Sequence, residues 1–170
     1  MINLQPTLEN ELLRLRPLME SDYEELYQCA SDPLIWELHP NKNRYKREVF
    51  DVYFQEAIEG KMAFAVIDLK TNKIIGSTRF YDYKPEQKSI AIGYTFLIRN
   101  YWGGLYNKSM KGLLIDYAFQ FSDEIILHIG ANNFRSQKAT EKLGAVKIAE
   151  ELIPFPGEAN ALNFVYQLKK

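Results

Sequence analysis

The stretch "KSIAIGYTFLIRNYWGGLYNKS", residues 88–109, constrains the fold most. It opens as an alternating strand. Ile90, Ile92, Tyr94, Phe96 and Ile98 fall on one face, and Ser89, Ala91, Gly93, Thr95 and Leu97 on the other, because side chains alternate along a strand. After the glycine pair Gly103–Gly104, the residues Met110, Leu113, Leu114, Tyr117, Ala118 and Phe121 recur at helical spacing. A strand that hands over directly to an amphipathic helix requires a layered, mixed α/β unit.

The remaining elements fit that unit. "ELLRLRPL" reads as a short strand. "ESDYEELYQCASDP" opens a helix with Ser21 and Glu24 as a capping box and closes at Pro33. "LIWELHPNKNRY" is loop-like, and Val49, Phe50, Tyr53, Phe54, Ala57 and Ile58 predict a second helix that stops at Gly60. "MAFAVIDL", the turn "KTNK" and "IIGSTRFYDY" form a hairpin. Downstream of the central strand come a helix from about Gly104 to Phe121, the strand "EIILHIGA", a helix from about Asn133 to Gly144, and the strands "AVKIAEELI" and "NALNFVYQL" joined by the turn-rich "PFPGEA". The chain has no repeat or linker and reads as a single domain, 1–170.

Composition narrows the function. The net charge is −1, so no basic excess exists to drive counterion release, and nucleic acid is disfavoured as a partner. No apolar run approaches the length of a membrane span. The acidic start "MINLQPTLENELL" lacks an apolar signal region, so a cytoplasmic location is expected. The single cysteine, Cys29, sits in a helical pattern and reads as a small buried hydrophobe. No spacing of His, Cys or carboxylates suggests a metal site.

The glycine pair admits two readings. One is a plain tight turn. The other is an anion site: the first turn of a helix presents unpaired N–H groups and the positive end of a dipole, and bare glycines let a phosphate approach them. Lys108 and Lys111, placed away from the apolar stripe, would add positive charge. The junction lacks both GxxxxGK[ST] and GxGxxG. The mostly small second face of the central strand either admits a closely packed helix or leaves room for a ligand.

Downstream, "GANNFRSQKATEKLGAVK" opens and closes a short helix just after a strand end. Taken with "IGYTFLIRNYWGGLYNKSMKGLLIDYAF", the early "LRLRPLMESDYEELYQCASDPLIW" and the hairpin "KIIGSTRFY", the chain resembles the GNAT acetyltransferases, in the branch related to ribosomal-protein N-terminal acetyltransferases. The resemblance covers nearly the whole chain. It implies an acyl-CoA N-acyltransferase fold: a central, mixed, mostly antiparallel twisted sheet of about seven strands, helices on both faces, and a splay between the fourth and fifth strands. It implies acetyl-CoA as co-substrate, no metal, and as acceptor a small-molecule amine or a protein N-terminus. It also allows a homodimer.

Carried over position by position, the resemblance has Phe96, Leu97 and Ile98 meeting the pantetheine arm. Asn100, Tyr101, Trp102, Gly103, Gly104, Leu105 and Tyr106 wrap the pyrophosphate, and Asn133 hydrogen-bonds the pantetheine. Ser136 sits near the sulfur as a proton donor to the leaving thiolate. A backbone N–H near Leu97 is the expected oxyanion donor. This chain departs from the family pattern at several positions. Asn100 and Leu105 replace two of three usual residues of the diphosphate turn, "NKSMK" replaces a helix Glu, Thr140 stands where relatives carry a Tyr acid, and Ala91 where many carry a Glu base. The remaining candidates for the base are Asp82, Glu86 and Tyr94. Asp82 and Glu86 also read as solvated loop charges, Tyr94 and Trp36 as core, His39 as a surface loop residue and His128 as a satisfied sheet residue. A non-catalytic acyl-CoA-binding module with the same fold is the alternative function.

Overall fold

The computed structural model describes residues 1–155 and 157–170. Eight strands form a single sheet: β1 (Leu8–Glu9), β2 (Leu13–Pro17), β3 (Ala63–Asp68), β4 (Lys73–Lys84), β5 (Ser89–Leu97), β6 (Glu124–Gly130), β7 (Val146–Ile153) and β8 (Ala161–Lys169). Their order across the sheet is β1-β2-β3-β4-β5-β6-β8-β7. Every pairing is antiparallel except β5 with β6. The count exceeds seven because the two-residue β1 pairs with β2. The splay therefore lies between β5 and β6, the same two segments expected to part. Pro156, in the expected turn "PFPGEA", lies outside the described residues.

Four helices cover the two faces: α1 (Tyr23–Ala30), α2 (Arg47–Gly60), α3 (Leu105–Ala118) and α4 (Phe134–Lys142). Under α3, Met110 and Leu114 pack with Leu13, Phe64, Phe80, Ile90 and Ile92. Beneath α1 and α2, Leu26, Phe50 and Phe54 pack with Trp36, Ala65 and Phe96. Each large apolar side chain taken out of water stabilises the fold by about 1.5–3 kcal/mol. The β3–β4 hairpin turns as expected, with Asn72 in the left-handed region at φ 56°.

Two local expectations fail. The Ser21–Glu24 capping box does not form. A short 3-10 turn, Glu20–Asp22, precedes α1, and the Asp22 carboxylate accepts from the Met19 N–H and from Arg16. A buried carboxylate with an arginine partner outcompetes a serine hydroxyl for that role.

The alternation expected along β5 also breaks. Gly93 pairs with Arg79 and Phe96 with Ser77, so Tyr94 and Thr95 together oppose Thr78. This is a β-bulge, with Tyr94 at φ 53°. One extra residue flips every later side chain to the other face. Ile90 and Ile92 lie under α3, whereas Tyr94 and Phe96 face α1 and α2. Thr95 takes the α3 side and accepts a hydrogen bond from Lys111 at 2.9 Å.

Candidate functional site

The parallel pairing of β5 with β6 ends early. It runs from Ser89↔Glu124 to Ala91↔Ile126, after which β5 follows β4 and β6 follows β8. A wedge opens between them. Ile98 N donates to Ile75 O at 2.9 Å across the sheet. One residue earlier the Leu97 N–H and C=O therefore point the other way, into the wedge. The side chains of Phe96 and Leu97 are buried in opposite core layers, so this segment offers a ligand its backbone.

Beyond β5 a 3-10 turn, Arg99–Tyr101, leads to the glycine pair. Gly103 has φ 70°, and a Cβ built at Gly103 or Gly104 meets nothing within 4 Å. Gly104 is the N-cap residue of α3, and among the described residues no side chain caps that helix. The turn is bare and open. It is also held firmly from behind. The hydroxyls of Tyr101 and Tyr106 donate to the two carboxylate oxygens of Asp68, each at 2.9 Å, and the two rings meet edge-on. Lys70 N and Thr71 Oγ1 also donate to Asp68. Burial pushes this carboxyl up, but the hydrogen bonds of Tyr101, Lys70, Tyr106 and Thr71 outweigh it and hold it below the usual range. Of the residues expected to wrap a diphosphate, Tyr101 and Tyr106 thus point their hydroxyls backward as anchors. Gly103, Gly104 and Leu105 line the front through their backbone, and Asn100 is exposed.

The far side of the wedge is α4. Asn133 is its N-cap, only 5% exposed, and its Oδ1 accepts from Ser136 N. The expected ligand residue therefore has a structural task as well, which leaves its Nδ2 as the group available to a ligand. Ser136, one turn into α4, is half-buried. Across the mouth, Arg135 lies 3.7 Å from the centroid of the Trp102 ring, while Trp102 Nε1 donates to Leu97 O at 2.9 Å.

The opposite side of the sheet carries a second set of groups. Gly93 lets the Tyr81 ring cross over β5, since a Cβ there would sit 2.9 Å from Tyr81 Cε1. The Tyr81 hydroxyl lies 2.5 Å from His128 Nδ1. Tyr81, Tyr94, His128, Glu151 and Phe155 line a cavity of about 240 Å³. Behind it, the Arg44 guanidinium is surrounded by the rings of Trp36, Tyr53, Tyr94 and Phe155 and pairs with Glu158 at 3.1 Å. This pair ties the β7–β8 segment to the loop between α1 and α2.

Cys29 is buried, and burial pushes its thiol up to about 12. Asp82 and Glu86 are exposed. His39, expected at the surface, is packed edge-on against Trp36, and its Nδ1 accepts from Asn41 N. Burial, with Arg44 and Arg135 nearby, drives it well below its ordinary value. Lys111, expected away from the core, is 8% exposed, and burial alone brings it down to about 8. Sequence reasoning missed Asp68, Tyr81, Arg44 and Arg135. The one available signal was Gly93, whose missing side chain on a central strand marks a close crossing. Among the described residues no group of His, Cys, Asp and Glu converges as metal ligands, and no helix is long and apolar enough to cross a membrane.

A family model for the acetyltransferase (GNAT) domain matches residues 13–146. No curated protein matches the chain in sequence. Among solved structures, the chain is similar to a GCN5-related N-acetyltransferase from Brucella melitensis. The TM-score is 0.83 at 18% identity, over 97% of this chain and 79% of that one. It is similar to a GNAT-family acetyltransferase from Bacillus anthracis, with TM-score 0.73 at 20% identity over 96% and 98% of the two chains. It is also similar to the ribosomal-protein-S5-alanine acetyltransferase of Vibrio fischeri, with TM-score 0.69 at 18% identity over 97% of each. At these identities the likeness is one of fold.

Proposed function

This chain belongs to the GNAT acetyltransferase family, and from that premise we propose that it transfers the acetyl group of acetyl-CoA directly to a primary amine held in the same complex. The observation that carries this reading is the wedge between β5 and β6, which ends at a glycine turn with no side chain in front of the α3 N-terminus.

The residues fit the co-substrate. Gly103, Gly104, Leu105 and the first turn of α3 present N–H groups to a diphosphate, supported from behind by Tyr101 and Tyr106 on Asp68. The Leu97 N–H faces the wedge between Phe96 and Ile98, both of which pair with β4, and is the backbone donor for the pantetheine arm; Asn133 Nδ2 offers one more donor. Trp102 and Arg135 cover the arm, and Asn100 borders it. Acetyl-CoA, when bound, supplies an acyl group already activated as a thioester. The chain's own tasks are then to hold the amine at about 3–3.5 Å, to donate an N–H to the developing oxyanion, and to manage two protons. Ser136 is placed to give a proton to the departing thiolate. Tyr94 faces the acceptor cavity; burial raises its phenol, so it serves there as a hydrogen-bonding group in its protonated form.

The acceptor enters from the α1/α2 side, between the loop at residues 37–46 and the β7–β8 segment. The likeness to an alanine acetyltransferase of ribosomal protein S5 makes an N-terminal peptide amine the first class to test, with small amines second. Calorimetric titration with acetyl-CoA, followed by a free-thiol assay over peptides and small amines, tests the reading. Binding with amine-dependent thiol release supports it. Binding without release favours an acyl-CoA-binding module, and no binding overturns it.

A further inference from the structure

We propose that Tyr81, His128 and Glu151 form a relay that removes the proton from the acceptor amine, a role that rests on the acetyl-transfer reading above. The relay depends on Gly93. Tyr81 stands on β4 and His128 on β6, with β5 between them. Their contact exists because Gly93 has no side chain: a Cβ there would lie 2.9 Å from Cε1 and 3.3 Å from Oη of Tyr81. His128 lies two residues past Ile126, the last residue of β6 to pair with β5, and so stands in the opened part of the wedge. Both groups line the cavity of about 240 Å³, where an amine approaching the wedge would rest.

The orientation of the ring follows from its neighbours. His128 Nε2 is 3.9 Å from Glu151 Oε2, too far for a hydrogen bond but near enough for the carboxylate charge to act on the ring, and the relay takes the tautomer with its N–H on Nε2. Nδ1 is then the acceptor and the Tyr81 hydroxyl the donor, at 2.5 Å. The charged and titratable groups around the pair are Asp82, Lys84 and Arg79 on β4, Tyr94 on β5 and Glu151 on β7; the β8 residue opposite His128 is Val165. Burial lowers His128, while Glu151 and Asp82 partly offset it. Burial raises Tyr81. The imidazole is therefore neutral and the phenol protonated at pH 7, as the relay requires.

In the transfer, the amine proton passes to Tyr81 Oη as the Tyr81 proton passes to His128 Nδ1. The N–C bond forms, the C–S bond breaks, and the electron pair leaves on sulfur. The phenol is unchanged at the end, the amine has lost one proton and the imidazole has gained one, its charge facing Glu151. The arrangement follows the logic of a nucleophile, a base and a group that orients the base, with a hydroxyl passing the proton in place of attacking.

The test uses wild type, Tyr81→Phe and Glu151→Gln. Acetyl-CoA affinity is measured by calorimetry. Turnover is measured by thiol release with alanyl and seryl tetrapeptides and propylamine. Imidazole tautomer and titration are read by 15N NMR, assignable because the chain has two histidines and His39→Gln removes the other. The expected result is that Tyr81→Phe binds acetyl-CoA within threefold of wild type but loses about 100-fold in kcat. It also loses the fall in rate below pH 6.5 that tracks His128 titration in wild type, and Glu151→Gln moves that fall to lower pH. A Tyr81→Phe enzyme with wild-type kcat and pH profile overturns the relay alone. Absence of acetyl-CoA binding overturns the acetyl-transfer reading itself. If no amine of the panel turns over, the NMR decides: a proton on Nδ1 in wild type overturns the relay, and one on Nε2 supports it.

Discussion

The guanidinium of Arg135 lies over the Trp102 ring, 3.7 Å from its centroid, and this contact joins the turn after β5 to the first turn of α4 across the mouth of the wedge between β5 and β6. Trp102 also donates to Leu97 O, so a single indole touches the strand edge, the glycine turn and the start of α4. A ligand entering the wedge must contact or shift it. Acetyl-CoA should therefore change the tryptophan emission of the wild-type protein. Trp102→Phe should abolish the change, because the other tryptophan, Trp36, is buried, only 1% exposed, and does not reach the wedge mouth. Arg135→Ala should weaken acetyl-CoA binding about fivefold, in line with the roughly 1 kcal/mol of a stacked cation. Fluorescence titration checks both.

Gly103 has φ 70° with open space where a Cβ would be. Gly103→Val puts a branched side chain into that space and into an unfavourable backbone region, at a cost of about 1–2 kcal/mol in stability. The variant should fold, by circular dichroism, and show no calorimetric heat with acetyl-CoA. A folded variant that binds normally would make the turn purely structural.

Asn133 has two tasks that different substitutions separate. Asn133→Ala loses the N-cap of α4 and should destabilise the protein by about 1 kcal/mol, while weakening acetyl-CoA capture about tenfold through one lost hydrogen bond of roughly 1.4 kcal/mol. Asn133→Asp keeps a capping oxygen but removes the Nδ2 donor. It should regain the stability and leave the binding defect. Denaturant melts and calorimetry on the pair read the two effects independently.

Lys111 is a buried ammonium whose one hydrogen-bond partner among the described side chains is Thr95. Burial lowers it to about 8 from 10.5. Between those values the unfolded chain binds the proton more tightly than the folded one, so stability rises with pH across that window. The penalty is fully present below pH 8 and gone above 10.5. Lys111→Met should raise stability at pH 7 by about 2 kcal/mol and flatten the rise between pH 8 and 10.5. Urea melts at several pH values test this.

Asp68 receives two phenols at once, and the residue is only 2% exposed. Asp68→Ala leaves both hydroxyls without their acceptor and should destabilise the fold by about 3 kcal/mol. Its lowered carboxyl contributes stability above the ordinary carboxylate range and loses it as the pH falls below that range. Thermal melts of wild type and variant between pH 3 and 7 should converge at the acid end.

The sequence and the structure agree where local signals and tertiary packing point the same way. The hairpin at "KTNK", the strand-to-helix handover at the glycines and the helix after Asn133 were legible because turn residues and periodicity act over a few neighbours. The bulge at Tyr94 was not, because nothing in "AIGYTFL" distinguishes seven regular residues from six and a bulge; only pairing with Arg79 and Ser77 does. That one residue moved Tyr94 and Phe96 to the face covered by α1 and α2. Lys111 escaped for a related reason. Its place on the helix follows from which face meets β5, and a long side chain can snorkel or turn inward. The Tyr81–His128 contact spans 47 positions, which no local pattern reports.

The central claim is that the wedge between β5 and β6 and the glycine turn hold acetyl-CoA. A crystal structure of the protein with CoA tests it most directly. The account predicts the diphosphate within hydrogen-bonding distance of the N–H groups from Gly103 into the first turn of α3, with the pantetheine arm along Leu97 between the two strands. A well-ordered CoA lodged anywhere else on the protein would contradict it.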